Sequence, residues 1–313
     1  MEIYNVKKTR KKIAKILTCW MPFRVYRRAL RGIITLGVSR YFQILKNDRK
    51  TKFQNEIAIG AIMKDEGNYI KEWLDFHIMV GIKKFYLYDN GSSDNTYEII
   101  KPYMDSGIVE YTQWLGLKQQ GPAYVDIIRR HRNDTRWLAL IDIDEFLVPM
   151  KHKTVAEFLK TLPNFAQLVV GWVNYGSNGH IAQPKGLVIE NYKRHADNTW
   201  GLKSITNPRL VLEVSNPHSN YVAGFTIDEN GKKRGRINEQ FNPTTHNYLR
   251  CNHYATKSYD EFMWRWNRGS ASKGKIKSSN GISDPEYNFK YRDRNDVYDD
   301  VMDKYIEKLK KIK

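Results

Sequence analysis

Midway along the chain, Trp137-Leu-Ala-Leu-Ile141 is an unbroken apolar run that stops abruptly at Asp142, Asp144 and Glu145. Consecutive apolar residues suit a strand covered on both faces, so the run predicts a core strand between helical layers. Carboxylates beside such a strand are costly to bury unless protons or cations compensate. Asp142 and Asp144 are two residues apart, and extended backbone aims both to one side. Paired hard oxygen donors at the carboxyl end of a core strand point to a divalent-cation site. Acidic residues after a strand also cap turns, and from the motif alone that reading stays open.

Strand and helix signals alternate ahead of this run. Residues 56–63, 83–89 and 109–114 predict strands, while 69–80, a stretch continuing to about 103, and 123–131 predict helices. In the first helix Ile70, Trp73, Leu74, His77 and Ile78 share one stripe, closed by Gly81. His77 therefore reads as a core histidine. This alternation predicts βαβ units and an α/β fold with a mostly parallel sheet. Ligands of such sheets sit outside the carboxyl ends of the strands, which here carry Lys64, Glu66, Asp89, Asn90, Asp142 and Asp144. A nucleotide is the natural occupant. The chain has neither a G-x-G-x-x-G nor a Walker pattern, which argues against a classical dinucleotide fold and a P-loop.

Downstream, Thr154-Val-Ala-Glu157 and Ser258-Tyr-Asp-Glu261 are capping boxes that open helices. Residues 166–173 predict a strand. Residues 174–250 are rich in Gly, Asn, Pro and aromatics without clear period, and predict a loop-dominated part shaping a second substrate site. A last helix is expected from about 296, with Val297, Val301, Tyr305 and Leu309 inward.

The net charge of +18 implies attraction to something anionic, whether nucleic acid, lipid surface or phosphorylated substrate. Much of it is local. Residues 1–52 read as a basic amphipathic segment in which aromatics alternate with arginines around Trp20-Met-Pro-Phe-Arg24. Such a segment suits an anionic membrane interface, and the alternative is a basic extension packed on the domain. The apolar run from 32 to 39 is far short of the ~20 residues of a spanning helix. Two cysteines, Cys19 and Cys251, exclude a disulfide framework and fit a reducing compartment. The location expected is cytoplasmic, peripheral on the inner face of a bacterial membrane.

Several short stretches together resemble the nucleotide-sugar-dependent glycosyltransferases of the GT-A type, and within them family 92 and related bacterial family-2-like enzymes. They are residues 64–73 with His77 and Gly81, Tyr86-Leu-Tyr-Asp-Asn-Gly-Ser-Ser-Asp94, Gln120-Gly-Pro-Ala-Tyr124 and Asp142-Ile-Asp-Glu-Phe146. Tyr175-Gly-Ser-Asn-Gly-His180, Lys203-Ser-Ile205 with Pro208, and Asn252-His-Tyr-Ala-Thr-Lys-Ser258 complete the set. The resemblance implies a Rossmann-like GT-A domain over residues 53–270, with a nucleotide-sugar half (53–150) and an acceptor half (151–270). A helical extension over 271–313 follows.

It also implies an inverting transfer of a sugar, UDP-linked and perhaps galactose, to a saccharide acceptor, assisted by Mn2+ or Mg2+. Asp142 and Asp144 match the family's D-x-D motif and His253 its metal-binding histidine. Imidazole beside carboxylate suits manganese better than harder cations. Lys64, Glu66, Asp89, Asn90, Gln120, Tyr124, Asp142, Lys203 and Lys257 are the expected donor contacts. His180, His218 and Trp264 are candidates for the acceptor. Inversion needs a general base, for which Glu145 and Glu213 are the foremost candidates, with Glu190 and Asp228 behind them. The bacterial setting, lipopolysaccharide or capsule synthesis on a saccharide or glycolipid, rests on the short chain and on a basic leader around Trp20-Met-Pro-Phe-Arg24 that resembles those of bacterial surface-polysaccharide enzymes. Two other classes stay open: an inactive relative that binds nucleotide sugar, and a basic nucleic-acid-binding protein. The second leaves the acidic motif unexplained, so nucleic acid is not the expected partner.

Overall fold

The computed structural model describes residues 1–5, 8–198, 200–235, 245–269 and 284–312. Three basic helices lead: α1 (Lys8–Thr18), α2 (Arg24–Leu36) and α3 (Val38–Lys50). Pro22 falls in the turn between the first two. α2 is seated on the body of the protein at Gly32, where an added Cβ would lie 2.2 Å from the carbonyl oxygen of Val222. The leader is thus packed on the domain along one face.

The predicted alternation follows: β1 (Asn55–Met63), α4 (Ile70–Met79), β2 (Phe85–Asp89), α5 (Thr96–Asp105), β3 (Val109–Gln113), α6 (Gln120–His131) and β4 (Thr135–Leu140). Strands β3, β2, β1 and β4 are neighbours in that order and all parallel. Every second residue of β1 goes to a different core. Ile57, Ile59, Ala61 and Met63 face Trp73, Leu74 and Phe76 of α4, whereas Ala58 and Ile62 face Ile127 and Ile128 of α6. Both faces are dry, which is why these strands read as continuous apolar runs. The expected α/β architecture with a mostly parallel central sheet is present.

After the acidic motif come β5 (Glu145–Pro149), α7 (Val155–Thr161), β6 (Gln167–Asn174), α8 (Val188–Asn191), β7 (Arg194–His195) and β8 (Leu202–Thr206). Then follow β9 (Val211–Val214), β10 (Asn220–Val222), β11 (Thr226–Ile227), β12 (Leu249–His253), α9 (Tyr259–Arg268), α10 (Pro285–Arg292), β13 (Val297–Tyr298) and α11 (Asp303–Lys310). The main sheet continues past β4 through β8, β6, β12 and β5, with β11 beside β6. β8 is antiparallel to both neighbours, and β12 runs parallel to β6 but antiparallel to β5.

Two expectations change. Residues 174–250 are not a loop region throughout, since they supply β8 and β12 to the middle of the sheet. Their strands are short, and buried Lys203, Ser204 and Arg250 break the apolar pattern that would have announced them. The last helix starts at Asp303 rather than 296, because Val297 and Tyr298 are extended and pair with β7. Tyr305 and Leu309 are buried as expected, while Val297 is exposed. The boundary expected at 270/271 lies outside the described residues. Both capping boxes form, at Thr154 and at Ser258.

Candidate active site and metal centre

The acidic motif lies where β4 ends and β5 begins, and the backbone between them turns rather than extends. The amide of Glu145 donates to the carbonyl of Asp142 at 3.1 Å, and the Glu145 carboxylate accepts the Asp142 amide at 2.9 Å. Because of this turn, Asp142 and Asp144 take different surroundings instead of sharing one side.

Asp142 is held by protein donors. One carboxylate oxygen accepts from Gln120 Nε2 at 3.0 Å and from the Tyr124 hydroxyl at 3.2 Å, and the other accepts from Lys203 Nζ at 2.7 Å. Three of the expected donor contacts, Gln120, Tyr124 and Lys203, thus converge on a fourth. The Lys203 ammonium is buried in β8 and also lies 3.3 Å from Glu145. Burial works against its charge, but Asp142 and Glu145 outweigh that and raise its pKa. Burial pushes the fully enclosed Glu145 carboxyl upward, with Lys203 opposing.

Asp144 meets His253 and Glu145 instead. The register of β5 with β12 sets His253 directly opposite Glu145, and the tightened turn before β5 brings Asp144 alongside. His253 Nε2 lies 3.7 Å from Asp144 Oδ1 and 3.9 Å from Glu145 Oε1. One ligand atom from each of Asp144, Glu145 and His253 falls within 4.8 Å of the others. Asp142, expected as a metal ligand, is not in this group.

The chemistry of the trio fits a cation. Asn174 Nδ2 donates to the carbonyl of Trp200 at 2.8 Å, which turns Asn174 Oδ1 toward His253 Nδ1 at 3.2 Å. That acceptor fixes the proton on Nδ1 and leaves the Nε2 lone pair facing the two carboxylates. Burial lowers the His253 pKa to about 3, so the ring is a neutral donor at physiological pH. Glu145 Oε1 is buried and has no hydrogen-bond partner among the described residues, as an oxygen reserved for an ion would be. Burial opposes the charge of Asp144, yet the neighbouring cations, Arg265 and Lys257 foremost, outweigh it and hold this carboxyl below the usual range. The trio offers one imidazole nitrogen and two carboxylate oxygens, a donor set suited to manganese.

A basic cleft opens beside Asp144, lined in part by Glu66, Tyr69, Lys257, Trp264, Arg265 and Arg268. Arg265 Nη1 donates to Asp144 Oδ2 at 2.6 Å. Arg268 donates to the carbonyls of Lys64 and Asp65 and pairs with Glu66 at 3.1 Å, tying α9 to the loop after β1. The buried ammonium of Lys257 sits 3.7 Å over the Tyr69 ring, and its burial lowers its pKa. Arg268 was expected as a phosphate contact beside Lys203 and Lys257, whereas Arg265 and Tyr69 were not among the expected site residues; for Arg265 the capping box opening α9 was the available signal.

The loops after β1 and β2 are laced together. Asp65 Oδ1 accepts the Ser93 amide at 2.7 Å, and Asp94 accepts the Gly67 amide at 2.9 Å. Gly67 has no room for a Cβ, which would lie 2.1 Å from Asn95 Oδ1. Asp89 is spent on Ser92 and Tyr111, and Asn90 on the carbonyls of Trp114 and Gly116. These two shape the wall through the loops they hold.

The remaining candidates scatter. His218 packs its ring on Trp172, which also packs against the His253 ring at 4.1 Å, so that indole lies between His218 and the Asp144, Glu145 and His253 trio. His180 lies against Tyr192. Trp264 is half exposed under the Arg268 guanidinium at the cleft. Glu213 pairs with Lys11 at 3.5 Å and with the terminal ammonium at 3.9 Å. Asp228 is tied to Arg234, and Glu190 to Lys310 at 2.6 Å. His77 is the core histidine expected: its Nδ1 bonds the Trp73 carbonyl and its Nε2 accepts from the Leu147 amide.

Comparison with known proteins follows the same lines. The profile of glycosyltransferase family 92 matches residues 62–287. A family 92 protein of rice (Oryza sativa subsp. japonica) is 26% identical over 174 residues, 52% of this chain and 30% of its own. A galactan β-1,4-galactosyltransferase of Arabidopsis thaliana is 26% identical over 41% of this chain and 28% of its own. The chain thus spans about a third of the length of these relatives. S. aureus TarS 1-349, solved in complex with UDP, overlays 49% of this chain and 47% of its own at 15% identity and a TM-score of 0.33. An overlay of that extent speaks to neither substrate nor mechanism.

Proposed function

The chain belongs to glycosyltransferase family 92, and from that premise we propose that it transfers a sugar from a UDP-linked donor to a saccharide acceptor with inversion. The observation that carries the proposal is the grouping of Asp144, Glu145 and His253 beside a basic cleft. A divalent cation on this trio, manganese before magnesium, would neutralise charge on the departing diphosphate as a Lewis acid. Glu145 belongs to that shell in this reading and is not the base. Glu213, turned to the leader, is not the base either.

The chain's own residues do the rest. Gln120, Tyr124 and Lys203 hold Asp142 in one orientation for the donor's ribose. Lys257, Arg265 and Arg268 supply positive charge where phosphate oxygens would lie, and Tyr69 and Trp264 give the cleft its aromatic walls. Trp264 offers a ring face to an acceptor sugar. Galactose is the proposed donor sugar, supported by the galactosyltransferase relative. The acceptor is proposed as a saccharide or glycolipid of lipopolysaccharide or capsule synthesis, which would bring the enzyme to the cytoplasmic face of a bacterial membrane. The curated relatives named above are plant proteins, and the bacterial part of the reading rests on the leader.

The test is a panel of UDP-sugars with Mn2+. UDP release from one of them, abolished by chelation and by Asp144→Asn, is the expected result. Turnover indifferent to Asp144 overturns the proposal, and UDP binding without any turnover identifies an inactive nucleotide-sugar-binding relative.

A further inference from the structure

Helix α1 is packed inside out. Its buried residues are the small Ala14 and Thr18, against which α2 lies; Arg31 of α2 donates to the Thr18 hydroxyl at 3.2 Å. Its large apolar residues point the other way. Ile13, Ile16 and Leu17 follow one another at i, i+3 and i+4 on one helical stripe, Trp20 in the turn just past the helix donates its indole N–H to the Leu17 carbonyl at 2.9 Å, and all four are exposed. Phe23, at the turn into α2, is a further exposed aromatic residue next in the chain. Trp20 is 73% exposed and Phe23 70%. A soluble helix turns such a stripe inward, and a contiguous exposed one marks a binding surface.

The charges around the stripe say what covers it. No Asp or Glu occurs from residue 7 to residue 47. Lys12, Lys15 and Arg24 beside the stripe are exposed, and no ion pair of theirs to a carboxylate is found among the described residues. The stripe is a helix ridge, not a groove, so it suits a flat and yielding surface. No helix of the described residues is long and apolar enough to cross a membrane. We propose that the outer face of α1, with Trp20 and Phe23 at its end, lies in the interface of an anionic lipid bilayer. The apolar side chains enter the boundary between headgroups and acyl chains, and the flanking lysines meet lipid phosphates. This deepens the reading of a membrane-borne acceptor and rests on that reading only for the enzyme's need to be there.

The test uses the full chain and sedimentation with vesicles of phosphatidylcholine alone or containing about one third phosphatidylglycerol. The expected result is binding to the anionic vesicles, weakened by salt, and weak or no binding to the neutral ones. The triple variant Ile16→Glu, Trp20→Glu, Phe23→Glu changes only outward side chains. It should lose binding by at least roughly tenfold with an unchanged thermal midpoint and unchanged UDP binding. Lys12→Glu with Lys15→Glu should lose the anionic preference. Equal binding by wild type and triple variant, or no binding by wild type, overturns the proposal. So does a concentration-dependent dimer that the triple variant dissolves without any vesicle effect, since a second copy then covers the stripe. UDP binding is read separately, so failure of the transferase reading would show there and not in the vesicles.

Discussion

His253 Nε2 lies 3.7 Å from Asp144 Oδ1, although the aspartate belongs to the middle of the chain and the histidine lies far downstream. Pairing of β12 with β5 creates this proximity, and Asn174 aims the ring by accepting its Nδ1 proton. His253→Ala should therefore abolish the Mn2+-dependent part of UDP binding. Asn174→Ala leaves all three ligands in place and should weaken Mn2+ by about 10–100-fold, as loss of an orienting partner does. Isothermal titration with Mn2+, alone and with UDP, reads both effects. Full Mn2+ affinity in His253→Ala would remove the imidazole from the site.

Lys203 is the cation that makes the acidic turn foldable, being within 2.7 Å of Asp142 and 3.3 Å of Glu145. Removing one partner of a buried ion group strands the others, at a cost of about 3–5 kcal/mol. Lys203→Met should lower stability by about that amount, somewhat reduced because Asp142 retains solvent contact. Adding Asp142→Asn should recover part of it by removing a stranded charge. Urea unfolding of the single and double variants checks both signs. A Lys203→Met protein as stable as wild type would mean that solvent, not the lysine, compensates these carboxylates.

Much of this was legible in the sequence because it is carried by local pattern. The run 137–141 announced a strand covered on both faces, and β4 sends Ala139 into one core and Leu138 and Leu140 into the other. The stripe of α4, both capping boxes and the core role of His77 were readable for the same reason. What escaped depends on contacts between distant segments. Lys203 in a buried strand looks like a loop lysine until Asp142 is placed beside it. The turn that separates Asp142 from Asp144 is made by Glu145, whose carboxylate bonds the Asp142 amide, and spacing alone suggested extended backbone. Asn174 gave no signal, since its role exists only through His253. The base stays beyond reach of both readings because its place is defined by the acceptor.

Glu213 faces Lys11 and the terminal ammonium and is partly exposed. Exposed pairs of this kind contribute about 0–1 kcal/mol. Glu213→Gln should therefore change stability by less than about 1 kcal/mol and leave kcat for donor turnover within about twofold. Steady-state kinetics on the sugar found in the donor panel is the check. A loss of kcat of a hundredfold or more would restore Glu213 as the general base.

Arg265 occupies Asp144 Oδ2 at 2.6 Å, where a cation's charge would be felt directly. Two positive charges a few ångströms apart repel by several kcal/mol at an effective dielectric near 20. Arg265→Gln should accordingly tighten Mn2+ alone by about tenfold or more, while UDP with Mn2+ binds less tightly because a phosphate contact is gone. Electron paramagnetic resonance of free Mn2+ measures the first and a thermal shift with UDP the second. Unchanged Mn2+ affinity would place the ion away from Asp144.

Acid stability offers a test of the core that is independent of catalysis. Burial lowers His77 to about 3, against an ordinary value of 6.5. Its Nδ1 is held by the Trp73 carbonyl and its Nε2 by the Leu147 amide, so the folded chain keeps it neutral. Between those two values the unfolded chain binds a proton that the folded one refuses, and stability must fall as pH drops below about 6.5. One such group contributes at most about 1.4 kcal/mol per pH unit. His77→Phe removes that proton and should flatten the slope between pH 6.5 and 4 by up to this amount. It also leaves the buried Leu147 amide unpaired, so stability at pH 7.5 should drop by about 1–3 kcal/mol. Urea midpoints measured across this range at constant ionic strength separate the two effects. An unchanged slope in His77→Phe would mean that His77 takes up its proton in the folded state.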